Sequence, residues 1–142
     1  MESTINEIQD ALILREITCR NLVSIYLQRI ETYDKPNGIN AITVINSQAL
    51  EKADRLDRLL ESGDSLPELF CIPIIVKDNF DTHDMVTTGG SVVLRDSYPP
   101  DDAFMVRKLR DAGAIIIAKS NMAEWAFSPR ETVSSSFGRT AH

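Results

Sequence analysis

Apolar residues recur at helical spacing through the first sixty or so positions. Over 4–14, Ile5, Ile8, Ala11 and Leu12 share one face behind Thr4, a residue suited to cap a helix. Thr18 precedes a second stretch over 19–33, where Leu22, Tyr26 and Ile30 repeat at a four-residue interval and Val23 and Leu27 widen the stripe. Asp34-Lys35-Pro36-Asn37-Gly38 breaks that pattern with proline and an Asn-Gly pair. Ala41-Ile42-Thr43-Val44-Ile45 is short and β-branched, which predicts a strand. Residues 47–61 return to helix. Leu50, Ala53, Leu56 and Leu60 point inward, and Glu51–Arg55 and Asp54–Arg58 pair on the wet side. Gly63 and Pro67 close the segment.

The second half reads differently. Cys71-Ile72-Pro73-Ile74-Ile75-Val76 is apolar without alternation and stops at Lys77-Asp78-Asn79. Unbroken apolarity predicts a strand covered on both faces. A loop passes through Thr87-Thr88-Gly89-Gly90-Ser91. Pro99-Pro100-Asp101-Asp102 opens a helix near 102–112, its aspartates matching the positive end of the helix dipole. Ala103, Val106 and Leu109 form its inner face, and Gly113 suits its C-terminal cap. Ala114-Ile115-Ile116-Ile117-Ala118 is a second buried strand. Strand, helix and strand make a βαβ unit, so residues 72–76 and 114–118 are expected to run parallel in one sheet. The fold class is therefore α/β, with helices over 1–66 and the start of a mixed or parallel sheet over 67–142. Three strands are expected in all. Ligand sites in such sheets lie beyond the carboxyl ends of the strands, which puts Lys77 and Lys119 on one rim.

Composition narrows the function. With 43% hydrophobic and 25% charged residues, the chain is globular rather than disordered. A net charge of −6 offers no basic footprint for nucleic acid. No apolar run approaches the ~20 residues that span a bilayer, and the first residues, MESTINEIQD, carry no secretory pattern. A cytoplasmic protein is expected. Cys19 and Cys71 form no CxxC pair and are expected to be idle, reduced thiols. His83 and His142 lack metal-ligand spacing, so neither metal nor organic cofactor is implied.

Position and residue type leave two readings of Lys77 open. It snorkels from the sheet rim into water, or it is held in a dry pocket where its pKa falls and it acts as a base. Ser134-Ser135-Ser136 reads as loop chemistry rather than as a nucleophile. The 87–91 loop lacks the lysine and helix start of a phosphate cradle, and no dinucleotide glycine fingerprint is present.

Four blocks in register carry a family resemblance. They are Ile72 to Asn79, Thr87 to Ser91, Asp102-Ala103 with Leu109 to Ile115, and Ala118 to Glu124; Ser136-Phe137-Gly138 follows. Together they resemble the amidase signature family, and residues 4–60 resemble its helical N-terminal region more loosely. The resemblance implies hydrolysis of carboxylic amide C–N bonds by a Ser–cis-Ser–Lys triad, with Lys77 as the base. It implies supporting roles for Asp78 and Asn79 in the turn holding Lys77, for Gly90, Ser91 and Lys119 around it, and for Asn121 and Glu124 in the rim helix. The implied substrate is a small-molecule amide. Two positions depart from the family pattern: Cys71 replaces the usual glycine, and Ala118 replaces the glycine before Lys119.

Both triad serines come from a Gly/Ser-rich segment of the family, and no Gly-Gly-Ser-Ser-Gly-Gly pattern occurs in these 142 residues. A base without a nucleophile performs no acyl transfer. The expectation is a truncated amidase, inactive alone, whose uncovered sheet edges favour self-association or a complementary chain. A non-catalytic interaction module is the alternative.

Overall fold

The computed structural model describes residues 3–141; His142, weighed above as a metal ligand, lies outside them. Helix α1 spans Ile5–Ile13 and α2 spans Cys19–Tyr33. Thr4 and Glu7 form a reciprocal capping box on α1, and Thr18 accepts from Asn21 N at 3.1 Å on α2. Strand β1 is Ile42–Ile45 and helix α3 is Ala49–Ser62. Strand β2, Pro73–Lys77, leads through a long loop to α4, Phe104–Asp111, and then to β3, Ile115–Ser120. Two further strands, β4 at Val133–Ser134 and β5 at Gly138–Arg139, form a small antiparallel hairpin. The expected count of three strands was therefore short by this pair, whose segments are too brief and polar to leave a period-2 signal.

The main sheet has the order β1-β3-β2. Strands β2 and β3 run parallel, as the βαβ pattern predicts, and β1 pairs antiparallel with β3. The three helices α1, α2 and α3 pack on one side around Leu12, Val23, Ala53, Ile115 and Ile117. Val76, Met85, Val106 and Ile116 form a second, smaller core on the other side, under α4. Among the described residues, no helix is long and apolar enough to cross a membrane.

Three expectations need correction. Helix α4 begins at Phe104, so Asp102 lies outside its first turn. Asp102 instead accepts from His83 N at 3.0 Å, which fixes the loop, and forms an ion pair with Arg110 near the C-terminal end of α4, Nε to Oδ2 at 3.0 Å. Asp54 does not pair with Arg58; it meets Arg20 of α2 at 2.6 Å, because that helix packs against α3. Glu51–Arg55 does form, at 2.5 Å. The two cysteines are not idle thiols: Cys19 and Cys71 are joined by a disulfide, their Cα atoms 5.7 Å apart. A separation of 52 residues gave no hint of that closeness, which arises because α2 begins beside the turn that enters β2.

A braced turn at the carboxyl rim of the sheet

Lys77 is the last residue of β2, and its side chain is exposed. Asp78, the next residue, is fully buried. Its N–H donates to Ser120 O at 3.0 Å, and its carbonyl accepts from Gly89 N at 2.9 Å. Its carboxylate accepts from Thr88 N at 3.2 Å and from the Thr88 hydroxyl. The same hydroxyl accepts from Gly90 N at 3.0 Å. The turn that follows Lys77 and the loop at 87–91 are thus strapped together through one carboxylate.

Lys119 is buried inside this brace. Its ammonium donates to Val86 O at 2.9 Å and to the Thr87 hydroxyl, and lies 3.6 Å from Asp78 Oδ1. Burial pushes its pKa down from the ordinary lysine value, and the Asp78 carboxylate opposes that push. A buried cation with a carboxylate and two further acceptors is a satisfied group. The carboxylate partner expected for Lys119 is Asp78, but the location of Lys119 differs. It lies within β3, and its side chain is inside rather than on the rim with that of Lys77.

The remaining expected residues surround this brace. Gly90 has φ +79°, and a Cβ there would meet Glu124 Cα at 3.0 Å and Met122 O at 3.1 Å. Glycine is needed both for the left-handed backbone and for the close approach. Ser91 is buried and donates its N–H to Thr88 O at 2.9 Å. Asn121 donates to Gly138 O and Thr140 Oγ1, each at 3.1 Å, tying the end of β3 to the hairpin. Glu124 accepts from Ser135 N at 3.0 Å, and hydrogen bonds from Ser135 and Ser91 hold its carboxyl below the usual range. Asn79 is exposed and lines a cleft of about 360 Å³ with Asp81, Thr87, Gly89, Met122 and Trp125. A larger apolar groove lies between α2, β1 and α3, and none of these residues lines it.

Sequence reasoning missed Thr87 and Thr88, which carry most of the brace. Their signal was present: two adjacent threonines before a Gly-Gly pair, in a block already singled out. It also missed Trp125 and Ala126, consecutive residues at φ +53° and +58°. Trp125 donates its N–H to Gly89 O at 2.9 Å, anchoring that strained segment over the glycine pair.

Another cluster looks at first like a cation site. His83, Asp84 and Asp102 each place one ligand atom within 4.8 Å of the others. Arg110 meets both carboxylates, and Lys52 also meets Asp84, so the positive charge these acids need is already supplied by side chains. That donor set fits an ion-pair network better than a bound metal.

Comparison with known proteins bears on these features. The amidase family model matches residues 21–142. A glutamyl-tRNA(Gln) amidotransferase subunit from Prochlorococcus marinus is 37% identical over 138 residues, covering 96% of this chain and 28% of its own length. The peptide amidase of Stenotrophomonas maltophilia superposes with a TM-score of 0.91 at 34% identity, over 98% of this chain and 29% of that one. An amidase family protein from Bacillus anthracis gives a TM-score of 0.91 at 33% identity, over 100% of this chain and 29% of that one. The chain therefore spans under a third of the length of these relatives. Sequence blocks in register, on a backbone shared with solved amidases, place it by descent: the chain belongs to the amidase family, that of the amidase signature.

Proposed function

We propose that this chain supplies Lys77 as the general base of a Ser–cis-Ser–Lys triad that hydrolyses carboxylic amide C–N bonds. Both serines come from polypeptide outside these 142 residues. The observation that supports this reading is the placement of Lys77. It ends a parallel strand at the carboxyl rim and is followed at once by the buried, fully bonded Asp78. A strand end held this way fixes the origin of a long side chain and leaves its tip free to meet a partner group.

In this reading neutral Lys77 takes a proton from the bridging serine, which takes one from the nucleophilic serine as that oxygen attacks the amide carbonyl. The proton returns to the departing amine, and water then releases the acyl group. Lysine works as a base only when its neutral form is accessible, and water exclusion favours that form. The exposed setting of Lys77 thus calls for cover from the serine-bearing polypeptide. That polypeptide is either continuous with this chain or a separate one. The second arrangement draws support from relatives that are themselves named as one component of a larger enzyme.

The test is reconstitution. The chain is produced with the Gly/Ser-rich remainder of a related amidase, once as a fusion and once as two polypeptides, and release of ammonia from simple carboxamides is followed. Turnover is expected in at least one format, with a loss of roughly 10³-fold or more on Lys77→Ala. Turnover that survives Lys77→Ala unchanged would remove Lys77 from the chemistry.

A further inference from the structure

Cys19 opens α2, and Cys71 stands two residues before β2. Both side chains are fully buried, and their disulfide spans 52 residues of sequence. The Cys19 end is anchored in the helical layer. Cys19 N and Arg20 N donate to the two oxygens of Asp57 on α3, at 2.7 and 3.0 Å. The Cys71 end sits in the turn that delivers the chain into β2. Its N–H donates to Gly113 O at 3.0 Å, and Ile72 N donates to Leu69 O at 3.0 Å.

Cys71 has φ +60°. A residue with a Cβ resists that backbone conformation, whereas glycine adopts it freely. The turn has little room to relax, since buried Phe70 and half-buried Pro67 close directly over Gly113. A side chain in this strained place calls for a compensating interaction, and the bond to Cys19 is the one that the structure provides. Glycine would ease the backbone and forfeit the cross-link.

We propose that the Cys19–Cys71 disulfide is a redox-dependent pin. Oxidised, it holds the left-handed turn that feeds β2 against the helical layer; reduced, it leaves a strained residue at the root of that strand. The protein acquires the bond in an oxidising compartment or from a dedicated oxidant, contrary to the reducing cytoplasm that composition suggested. Formation takes two protons and two electrons from the two thiols. The electrons reduce a disulfide oxidant, such as glutathione disulfide or an oxidised dithiol protein, to two thiols. The route is attack of one cysteine thiolate on the oxidant, followed by resolution of the mixed disulfide by the second cysteine. The finished bond is shielded from water, so exchange precedes closure of the seam, and reductants act only when the seam opens. None of this depends on the role of Lys77.

The experiment has two arms. In the first, thiols are trapped by acid quench and alkylation in cells that express the protein naturally, and intact mass is read under denaturing conditions. An unlabelled chain is expected; two labels overturn the proposal. In the second, the wild type, Cys71→Gly and Cys19→Ser are compared by thermal melting with and without reductant. Oxidised wild type is expected to melt above both variants. Once reduced, it is expected to melt with Cys19→Ser and below Cys71→Gly, since glycine relieves the turn. Hydrogen exchange in wild type is expected to quicken at the β2 amides by about tenfold or more on reduction. Reduced wild type that equals or exceeds Cys71→Gly, or β2 exchange indifferent to reduction, overturns the pin. If a variant fails to fold, labelling and exchange on wild type decide alone.

Discussion

Lys119 stands opposite Val76, not opposite Lys77. The ladder between β2 and β3 runs Pro73–Ile115 and Ile74–Ile116, then passes over Ile117 to pair Ile75 with Ala118. This bulge advances β3 by one residue. Without it the two lysines would be cross-strand neighbours on one face, an unfavourable like-charge pair. With it, Lys119 enters the buried side with Val76, and Lys77 leaves the sheet on the opposite face beside Ser120.

The two lysines should therefore respond differently to truncation. Lys77→Ala removes an exposed chain end and is expected to change stability by no more than about 0.5 kcal/mol. Lys119→Ala strips the buried Asp78 carboxylate of its cation and is expected to cost roughly 3–5 kcal/mol. Urea denaturation of both variants decides it, and comparable costs for the two would contradict the assignment of faces.

Thr88 is fully buried, and its hydroxyl serves both Asp78 and Gly90. Thr88→Val keeps the shape and removes both bonds. A loss of about 1–3 kcal/mol is expected, together with faster exchange of the Gly90 amide. An unchanged Gly90 amide would mean that the loop is held by something other than this hydroxyl.

Acid should loosen a different part of the molecule. Burial alone would raise the Asp84 carboxyl, but Lys52 and Arg110 outweigh it and hold the carboxyl down at about 2. A folded pKa below the unfolded value of 3.8 means that the contribution is full above about pH 4 and is lost as pH falls toward 2. The contribution is roughly 1–2 kcal/mol. Asp84→Asn is expected to flatten the stability profile across that interval; a wild-type slope retained in the variant would rule Asp84 out as its source.

Gly113 has φ +89°, and a Cβ there would fall 2.4 Å from Pro67 Cγ and 3.2 Å from Phe70 Cα. Gly113→Ala combines backbone strain with overpacking and is expected to cost roughly 2–4 kcal/mol. Thermal melting tests this, and a melting temperature equal to that of wild type would show that the turn can open without penalty.

What the sequence disclosed and what it withheld follow from the range of the forces involved. Helices α1, α2 and α3 were readable because Ile8, Leu12, Leu22 and Val23 repeat on the period of the structure they form. The parallel pairing of β2 and β3 followed from apolar runs flanking a helix. The bulge at Ile117 was not readable, since all three isoleucines of β3 are apolar and no alternation marks the skipped residue. For the same reason the opposite facing of Lys77 and Lys119 was not readable, and the expectation that both side chains share one rim failed for Lys119. The partners of Asp78 were beyond reach because they depend on a loop folding back across ten positions. The disulfide was likewise a product of tertiary contact, though the odd cysteine in a glycine's place was visible from the start.

The order β1-β3-β2 places the last-made strand of the main sheet in its middle. During synthesis neither β1 nor β2 has a backbone partner until Ile115–Ser120 has left the ribosome. The early helices have local contacts to condense on, but the sheet must wait for its keystone and then assemble on both sides at once. A nascent chain halted just short of residue 115 would hold two orphan apolar segments and invite capture by chaperones.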